Sequence, residues 1–281
     1  MTADPFDSPE VAVRRSKDGR PYVHDPEKGK EALYTRVTTF IDCLDDKTML
    51  AKWAERMAFL GVRSDLSVGK RLMALELVPE LSKSPTQEEV VERNGLLDEQ
   101  KKKLQAIVDA AKDAAGWKDK ADLGTELHRL TELVDGGGHL GSEVPPVLAR
   151  DVDAYSEALP RYGLVPLEQE VFVANDQLRT GGTFDRVYDW TRPDGTTLRV
   201  IGDLKTGRVD YGHGKLAMQL ALYANSRRYD PRDPECRGKL DVSTQVGLII
   251  HLPVGKAECK VYAADLLTGW EGVLLADKVR E

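Results

Sequence analysis

Residues 181–207 read GGTFDRVYDWTRPDGTTLRVIGDLKTG, and residues 214–226 continue with GKLAMQLALYANS. The first stretch decides the fold. Thr183 to Trp190 and Leu198 to Lys205 each alternate as half-buried strands do. Pro193-Asp194-Gly195 between them is a strong turn signal. The expected product is a β-hairpin. A turn symmetric about Asp194 sets Asp185 across from Asp203. Like charges directly opposite on paired strands repel, and burying them unpaired is costly. A positive group between them is therefore expected, and a divalent cation answers best, since Mg²⁺ is typically held by one or two carboxylates plus substrate phosphates. Lys205 lies two residues beyond Asp203 and so shares its face. Two carboxylates and a lysine on one face suit metal-assisted phosphoryl transfer.

The helix expected after the hairpin carries a polar stripe of Lys215, Gln219, Tyr223 and Arg227 at four-residue spacing. Leu216, Leu220, Ala217, Ala221 and Ala224 supply much of its apolar remainder. Packed on the sheet, such a helix could aim Gln219 and Tyr223 over the carboxylates.

These residues resemble a known family. Gly-Gly-Thr-Phe-Asp185, then Asp203-Leu204-Lys205, then Gln219-x-x-x-Tyr223 resemble motifs II, III and the Q-x-x-x-Y motif of RecB-like nucleases, a branch of the PD-(D/E)XK superfamily. Gly124-Thr125-Glu126-Leu127-His128 is similar to the family's upstream histidine motif. A D-x-K triplet alone is common, but here four pieces follow in order across residues 120–265. Phe184 stands where the superfamily has its naming proline, a position that varies in the RecB-like branch.

The resemblance implies an α/β fold: a restriction-endonuclease-like core with a mixed sheet flanked by helices. An N-terminal hairpin and helical elaboration would occupy residues 1–118, and the nuclease core residues 119–281. It implies a metal-dependent DNA exonuclease of recombination, repair or replication, using Mg²⁺ or Mn²⁺. Asp185, Asp203, the Leu204 carbonyl and His128 would hold one or two ions. Lys205 would orient or help deprotonate the attacking water, and Gln219 and Tyr223 would position Lys205 or the DNA backbone. The substrate implied is linear DNA with a free end, with a single-strand annealing protein as candidate partner. The segment from Val37-Thr-Thr-Phe-Ile to Leu50-x-x-Trp53 resembles, more loosely, the N-terminal region of phage-encoded members. Two other readings stand beside this one: a site-specific endonuclease or junction resolvase on the same fold, and a non-catalytic DNA-end-binding protein.

The chain of 281 residues, 41% hydrophobic, suits one large domain or one domain with a helical addition. No apolar run approaches the roughly 20 residues needed to span a bilayer, and the acidic opening MTADPFDSPE is unlike a secretory signal. A cytoplasmic location follows as the expectation, the host's if the chain is phage-encoded, with no membrane partner. Cys43, Cys236 and Cys259 are scattered and make no C-x-x-C pair. Three cysteines cannot build the Cys₄ iron–sulfur site of some RecB-like relatives, so no cluster is expected. Net charge is −7, which argues against a polyanion partner. From Lys205 to Leu240, however, eight basic residues face four acidic ones, so a local basic groove is expected.

Residues 1–9 read as disordered, and Val11 to His24 as a small hairpin. Thr38 or Thr39 is a candidate helix cap. Leu50, Trp53, Met57 and Leu60 form a helical stripe expected to be core. Helices are expected over Ser64–Leu77 and Thr86–Ala115, the latter with a Thr86/Glu89 capping box. Lys101 to Lys103 fit a solvated helix face better than a phosphate contact. Ala121–Asp135 should be the histidine helix, burying Leu123, Leu127, Leu130 and Val134. Gly136 to Gly141 follows a helix rather than a strand and reads as a loop, not a phosphate cradle. Val147–Leu159 should be a helix and Leu167–Ala174 the first core strand. On that strand Glu170 is a candidate second-shell or second-metal carboxylate, with a solvated or ion-paired glutamate as the alternative. Ser243–Leu252 should be a buried central strand, paired with Glu258–Ala263. Leu266–Val279 should be a closing helix, with Trp270, Leu274 and Leu275 available for packing.

Overall fold

A computed structural model describes residues 12–76, 78–80, 83–209 and 212–280, without the side chain of residue 120. The disorder expected for residues 1–9, and the parts of expected elements at Val11, Leu77 and Asp210, lie outside these residues. The chain divides into two compact units. One joins the described residues up to Asp45 with those from Glu126 onward; the other is Asp46–Thr125.

The chain opens with a hairpin of β1 (Tyr22–Asp25) and β2 (Lys30–Leu33). The expected hairpin ending at His24 forms in part, with Ser16 N–H donating to the Arg20 carbonyl and Tyr22 N–H to the Arg14 carbonyl across the turn. Arg15 bridges Pro21 there, and the longer ladder is the one that β1 makes next with β2. Next come β3 (Thr35–Arg36) and α1 (Val37–Ile41). The cap position of α1 is Arg36, so Thr38 and Thr39 lie inside the helix rather than at its cap.

The second unit holds α2 (Thr48–Ser64), α3 (Leu66–Met73), α4 (Gln87–Ala114) and the start of α5 (Asp119–Asp135). Thr86 and Glu89 form the expected capping box on α4, satisfying two backbone N–H groups of its first turn. Lys101, Lys102 and Lys103 are exposed. The buried residues of the unit include Gly61, Val68, Ile107 and Ala111. A β-carbon on Gly61 would fall 1.7 Å from the Ala111 carbonyl oxygen, so α2 meets α4 backbone to backbone there. That contact sets which face of α2 turns inward. Trp53 and Met57 are half-buried, Trp53 stacking on Trp117 with ring centroids 3.9 Å apart, but Leu50 and Leu60 are exposed. The expected core stripe is therefore only half core.

In the larger unit α5 leads to α6 (Pro146–Arg161), β4 (Leu164–Asn175), β5 (Thr180–Thr191), β6 (Thr197–Lys205) and α7 (His213–Ala224). A hairpin of β7 (Arg227–Asp230) and β8 (Asp233–Gly238) follows, which the sequence reading did not anticipate. The chain ends with β9 (Val246–His251), β10 (Lys260–Asp265) and α8 (Leu266–Arg280). The sheet order is β10-β9-β6-β5-β4-β7-β8, with β3 parallel to β5. β6 and β9 are also parallel, and the crossover such a pair requires carries α7. The sheet is thus mixed. Alternate residues face opposite sides. Val187, Ile201 and Ile249 pack with α1, α7 and α8, while Tyr188, Val200, Leu248 and Ile250 pack with α5 and α6. The molecule is α/β, a mixed sheet with helices on both faces.

The boundary between units differs from the one expected at residues 118/119. Residues up to Asp45 belong with the sheet because β3 pairs with β5 and α1 packs into the same core as α7. Within α5, Leu127 and Leu130 are fully buried, but Val134 is half-buried and Leu123 exposed. Among the described residues no helix is long and apolar enough to cross a membrane.

Candidate active site

The β5–β6 ladder runs from Thr191↔Thr197 to Arg186↔Gly202, a register centred on Asp194 as the turn chemistry demands. It stops one residue before Asp185 and Asp203. Beyond that point the Asp185 carboxylate takes the place of a backbone partner, its Oδ2 accepting the Leu204 N–H at 2.6 Å. The two strands fork here, and the two carboxylates sit at the fork.

Asp203 is buried, with 3% of its surface exposed. Its Oδ1 accepts from Gln219 Nε2 at 3.3 Å. Its Oδ2 is ion-paired with the Lys205 ammonium but receives no hydrogen bond of adequate geometry, so it is a buried acceptor with unused capacity. Gln219 and Tyr223 both come from α7, one turn apart. The Tyr223 hydroxyl lies 3.0 Å from where a β-carbon on Gly182 would stand, so the glycine in Gly181-Gly182 gives the ring room over β5. The expected stripe on α7 ends at Tyr223: the helix stops at Ala224, and Arg227 opens β7. Lys215, at the other end, is held by Asp42 at 2.6 Å and Asp45 at 2.7 Å.

From α5, His128 brings Nδ1 to 3.7 Å from Asp185 Oδ2. Burial pulls the imidazole down to about 4, against the pull of the Asp203 charge and a hydrogen bond to the Leu204 backbone, so the ring is neutral at pH 7. Burial pushes Asp203 the other way, up to about 6, and the neighbouring Asp185 charge adds to it. Burial also raises Asp185, opposed by the Leu204 N–H and by Lys205 and Arg186. Burial, with the Asp203 and Asp185 charges behind it, raises the Tyr223 hydroxyl. Two reluctant carboxylates beside a neutral imidazole make an oxygen-and-nitrogen donor set suited to a hard or first-row divalent ion. In the resting geometry Lys205 occupies Asp203, and among the described residues no three His, Cys, Asp or Glu side chains are already gathered around one point.

Glu170 lies in β4 between the pairs Gln169↔Arg186 and Val171↔Phe184, which puts it across from Asp185. Its backbone is left-handed, φ 50°, uncommon for a residue with a side chain. The residue is exposed and engaged with a neighbour. Glu168, two residues earlier on the same strand, accepts two hydrogen bonds from Arg228, of 2.6 and 2.8 Å.

The sequence reading missed Arg186. Its side chain points away from the carboxylates and is 1% exposed. Nε donates to Asp135 Oδ2 at 2.7 Å, one terminal nitrogen to Thr131 Oγ1 at 3.0 Å, and the other to the Asp185 carbonyl at 3.1 Å. Tyr155 donates to the same Asp135 oxygen and lies 3.1 Å from the Tyr188 hydroxyl. Thr131 in turn donates to the His128 carbonyl at 2.7 Å. One guanidinium thus ties the helix carrying His128 to the strand carrying Asp185. The signal was present: Arg186 shares its strand face with Tyr188, where an apolar residue is the rule.

Four of the basic residues expected to form a groove beside the site are paired with carboxylates. Arg228 pairs with Glu168, Arg232 with Asp230, Arg237 with Asp176 and Lys239 with Asp241. These residues lie on or after β7 and β8, which β4 separates from the β5–β6 fork. Charges spread along a sequence converge only if the strands that carry them are neighbours. A cavity of about 650 Å³ opens there, lined by Phe172, Tyr229, Arg15 and Arg228 together with Glu168 and Asp233. Arg228 is matched there by Glu168 and Arg232 by Asp230, while Arg15 donates to the Gly19 carbonyl. Cys43 and Cys236 are exposed, and Cys259 is buried, its thiol pushed up to about 12 by burial. No protein-family model matches this sequence, and no curated protein matches it.

Proposed function

We propose that the chain is a divalent-metal-dependent DNA nuclease with a RecB-like PD-(D/E)XK core, acting on ends of linear DNA. The observation that carries the reading is the fork itself. His128, Asp185, Asp203, Lys205 and Gln219, from α5, β5, β6 and α7, meet where the β5–β6 ladder ends, and a buried Asp203 oxygen there has capacity left over. Asp203, Asp185, the Leu204 carbonyl and His128 are the residues that would hold Mg²⁺ or Mn²⁺. A divalent ion in this place supplies Lewis acidity, polarising a phosphoryl oxygen and lowering the pKa of a water nucleophile.

The protein's own groups have separate tasks. Gln219 fixes the rotation of the Asp203 carboxylate, and the Leu204 N–H fixes that of Asp185. Lys205 is a point charge beside Asp203. Released from that pair, it would meet the developing negative charge on the scissile phosphate or orient the attacking water. Tyr223, kept neutral by burial, is a hydrogen-bond donor for the backbone of the substrate strand. Glu170, exposed and across from Asp185 on β4, would act outside the first ion's coordination, as a second-shell or second-metal carboxylate.

The test is degradation of linear and covalently closed circular DNA with Mg²⁺ or Mn²⁺, with and without chelator. Loss of linear DNA from its ends, abolished by chelation, is the expected result. Rapid discrete cutting of closed circles would make the protein an endonuclease or resolvase. End binding with no cleavage under any metal would make it a DNA-end-binding protein on this fold.

A further inference from the structure

α8 has two apolar faces. Leu266, Gly269, Val273 and Ala276, at helical spacing, are buried with the sheet and α7. Leu267, Leu274, Leu275 and Val279 turn outward, 59, 43, 52 and 57% exposed. Among the described residues Leu274 and Leu275 are only about half covered. The helix cannot roll to bury them. A β-carbon on Gly269 would stand 2.4 Å from the Ala217 carbonyl oxygen, so α8 is seated on α7 at backbone contact. Clustered exposed leucines mark an interaction surface where scattered ones would not.

The charges on the outward face identify what covers it. Glu271 and Lys278, both exposed, stand three residues either side of the Leu274–Leu275 pair. A second α8 running antiparallel about a two-fold axis between residues 274 and 275 sets Glu271 against the partner's Lys278. It sets Leu274 against the partner's Leu275 and Trp270 against the partner's Val279. The axis repeats each pairing, so the surface is self-complementary as a two-fold interface requires. A parallel copy would set glutamate against glutamate. We propose that two copies of this chain associate through α8 packed antiparallel on α8. A single helix pair buries less than the ~1,200 Å² of a standard stable interface, so the expected dissociation constant is on the order of micromolar.

Sedimentation velocity over roughly a hundredfold range of concentration tests this, since a dimer this weak dissociates on dilution. The mass should rise from 31.2 kDa toward twice that value. Glu271→Lys sets lysine against lysine twice and should weaken association by roughly tenfold, as should Lys278→Glu. The double variant Glu271→Lys with Lys278→Glu restores both pairs and should dimerise like the parent, which a misfolded protein would not do. A parent that stays monomeric at every concentration overturns the proposal. So does a dimer indifferent to the single exchanges, or a double variant as weak as the singles.

Discussion

Asp185 and Arg186 are neighbours in sequence and opposites in environment. Both are charged and both lie at the heart of the sheet, on opposite faces of one strand. Around Arg186 the polar groups are matched, with Asp135, Thr131, Tyr155 and the Asp185 carbonyl all within hydrogen-bonding distance of a partner. Around Asp185 and Asp203 they are not. Lys205 pairs with Asp203, the Asp203 oxygen it faces receives no aligned hydrogen bond, and burial holds both carboxylates toward their protonated forms. A closed network of buried charge holds structure together. An open one beside it costs stability, and such sites persist where a ligand completes them.

The widest separation between the two networks is expected in turnover. Asp203→Ala should reduce DNA cleavage by several orders of magnitude, because metal-ion effects are worth several kcal/mol. Single-turnover assays with a Mn²⁺ titration check it. Lys205→Ala in the same assays should cut turnover steeply while leaving the titration nearly intact. A Lys205→Ala protein within about twofold of the parent, under ~0.5 kcal/mol, removes lysine from the mechanism. Asp203→Ala should not weaken the fold at pH 7, since it removes a buried carboxylate that burial disfavours.

Arg186→Met should do the reverse. It strands Asp135 in the interior, which typically costs about 3–5 kcal/mol, read as a lower denaturant midpoint. If Arg186→Met melts like the parent, the closed network is not what holds α5 to β5.

The pH dependence of stability should sharpen the contrast further. Asp203 sits at about 6 in the fold against an ordinary 3.8. For a raised acid, the stabilising contribution is full below the unfolded value and is lost as pH rises through the folded one. The metal-free protein should therefore give up on the order of 2 kcal/mol between pH 4 and pH 7 from this group. His128, depressed to about 4, works in the opposite sense over the same range. Asp203→Asn isolates the first effect: its stability curve should lack that decline, and Mn²⁺ should raise the parent's melting temperature at pH 7 but not the variant's. The smallest effect belongs to the cations far from the fork. Arg228→Ala, breaking a partly exposed pair with Glu168, should cost about 1 kcal/mol or less and change cleavage little.

What the sequence disclosed were features with a short-range cause. Pro193-Asp194-Gly195 sets a turn, the turn sets a register, and the register brings Asp185 and Asp203 to the same end of two strands. The four-residue spacing of Gln219 and Tyr223 puts both on one face of α7 in the same way. The Thr86/Glu89 cap is equally local. What stayed hidden depends on distant partners. Thr35 and Arg36 form only a two-residue strand, and nothing in them announces β5 as the neighbour. Asp42 and Asp45 gave no hint that they would claim Lys215. The basic run after Lys205 looked like a groove because sequence proximity was taken for spatial proximity, whereas β4 intervenes. Leu50 and Leu60 fit a helical stripe, but the rotation of α2 was set by Gly61 against Ala111, a contact no periodicity encodes.

The placement of β3 beside β5 has a consequence for synthesis. Tyr34 bonds to Asp176, 142 residues later, and Lys215 to Asp45, 170 residues apart. At roughly 5–20 residues per second on the ribosome, the segment up to Asp45 waits on the order of ten seconds or more before its partners emerge. The intervening helices of Asp46–Thr125 have their own buried residues and can collapse in that interval. The sheet unit is therefore completed late in translation, when a segment made before the helices meets strands made after them.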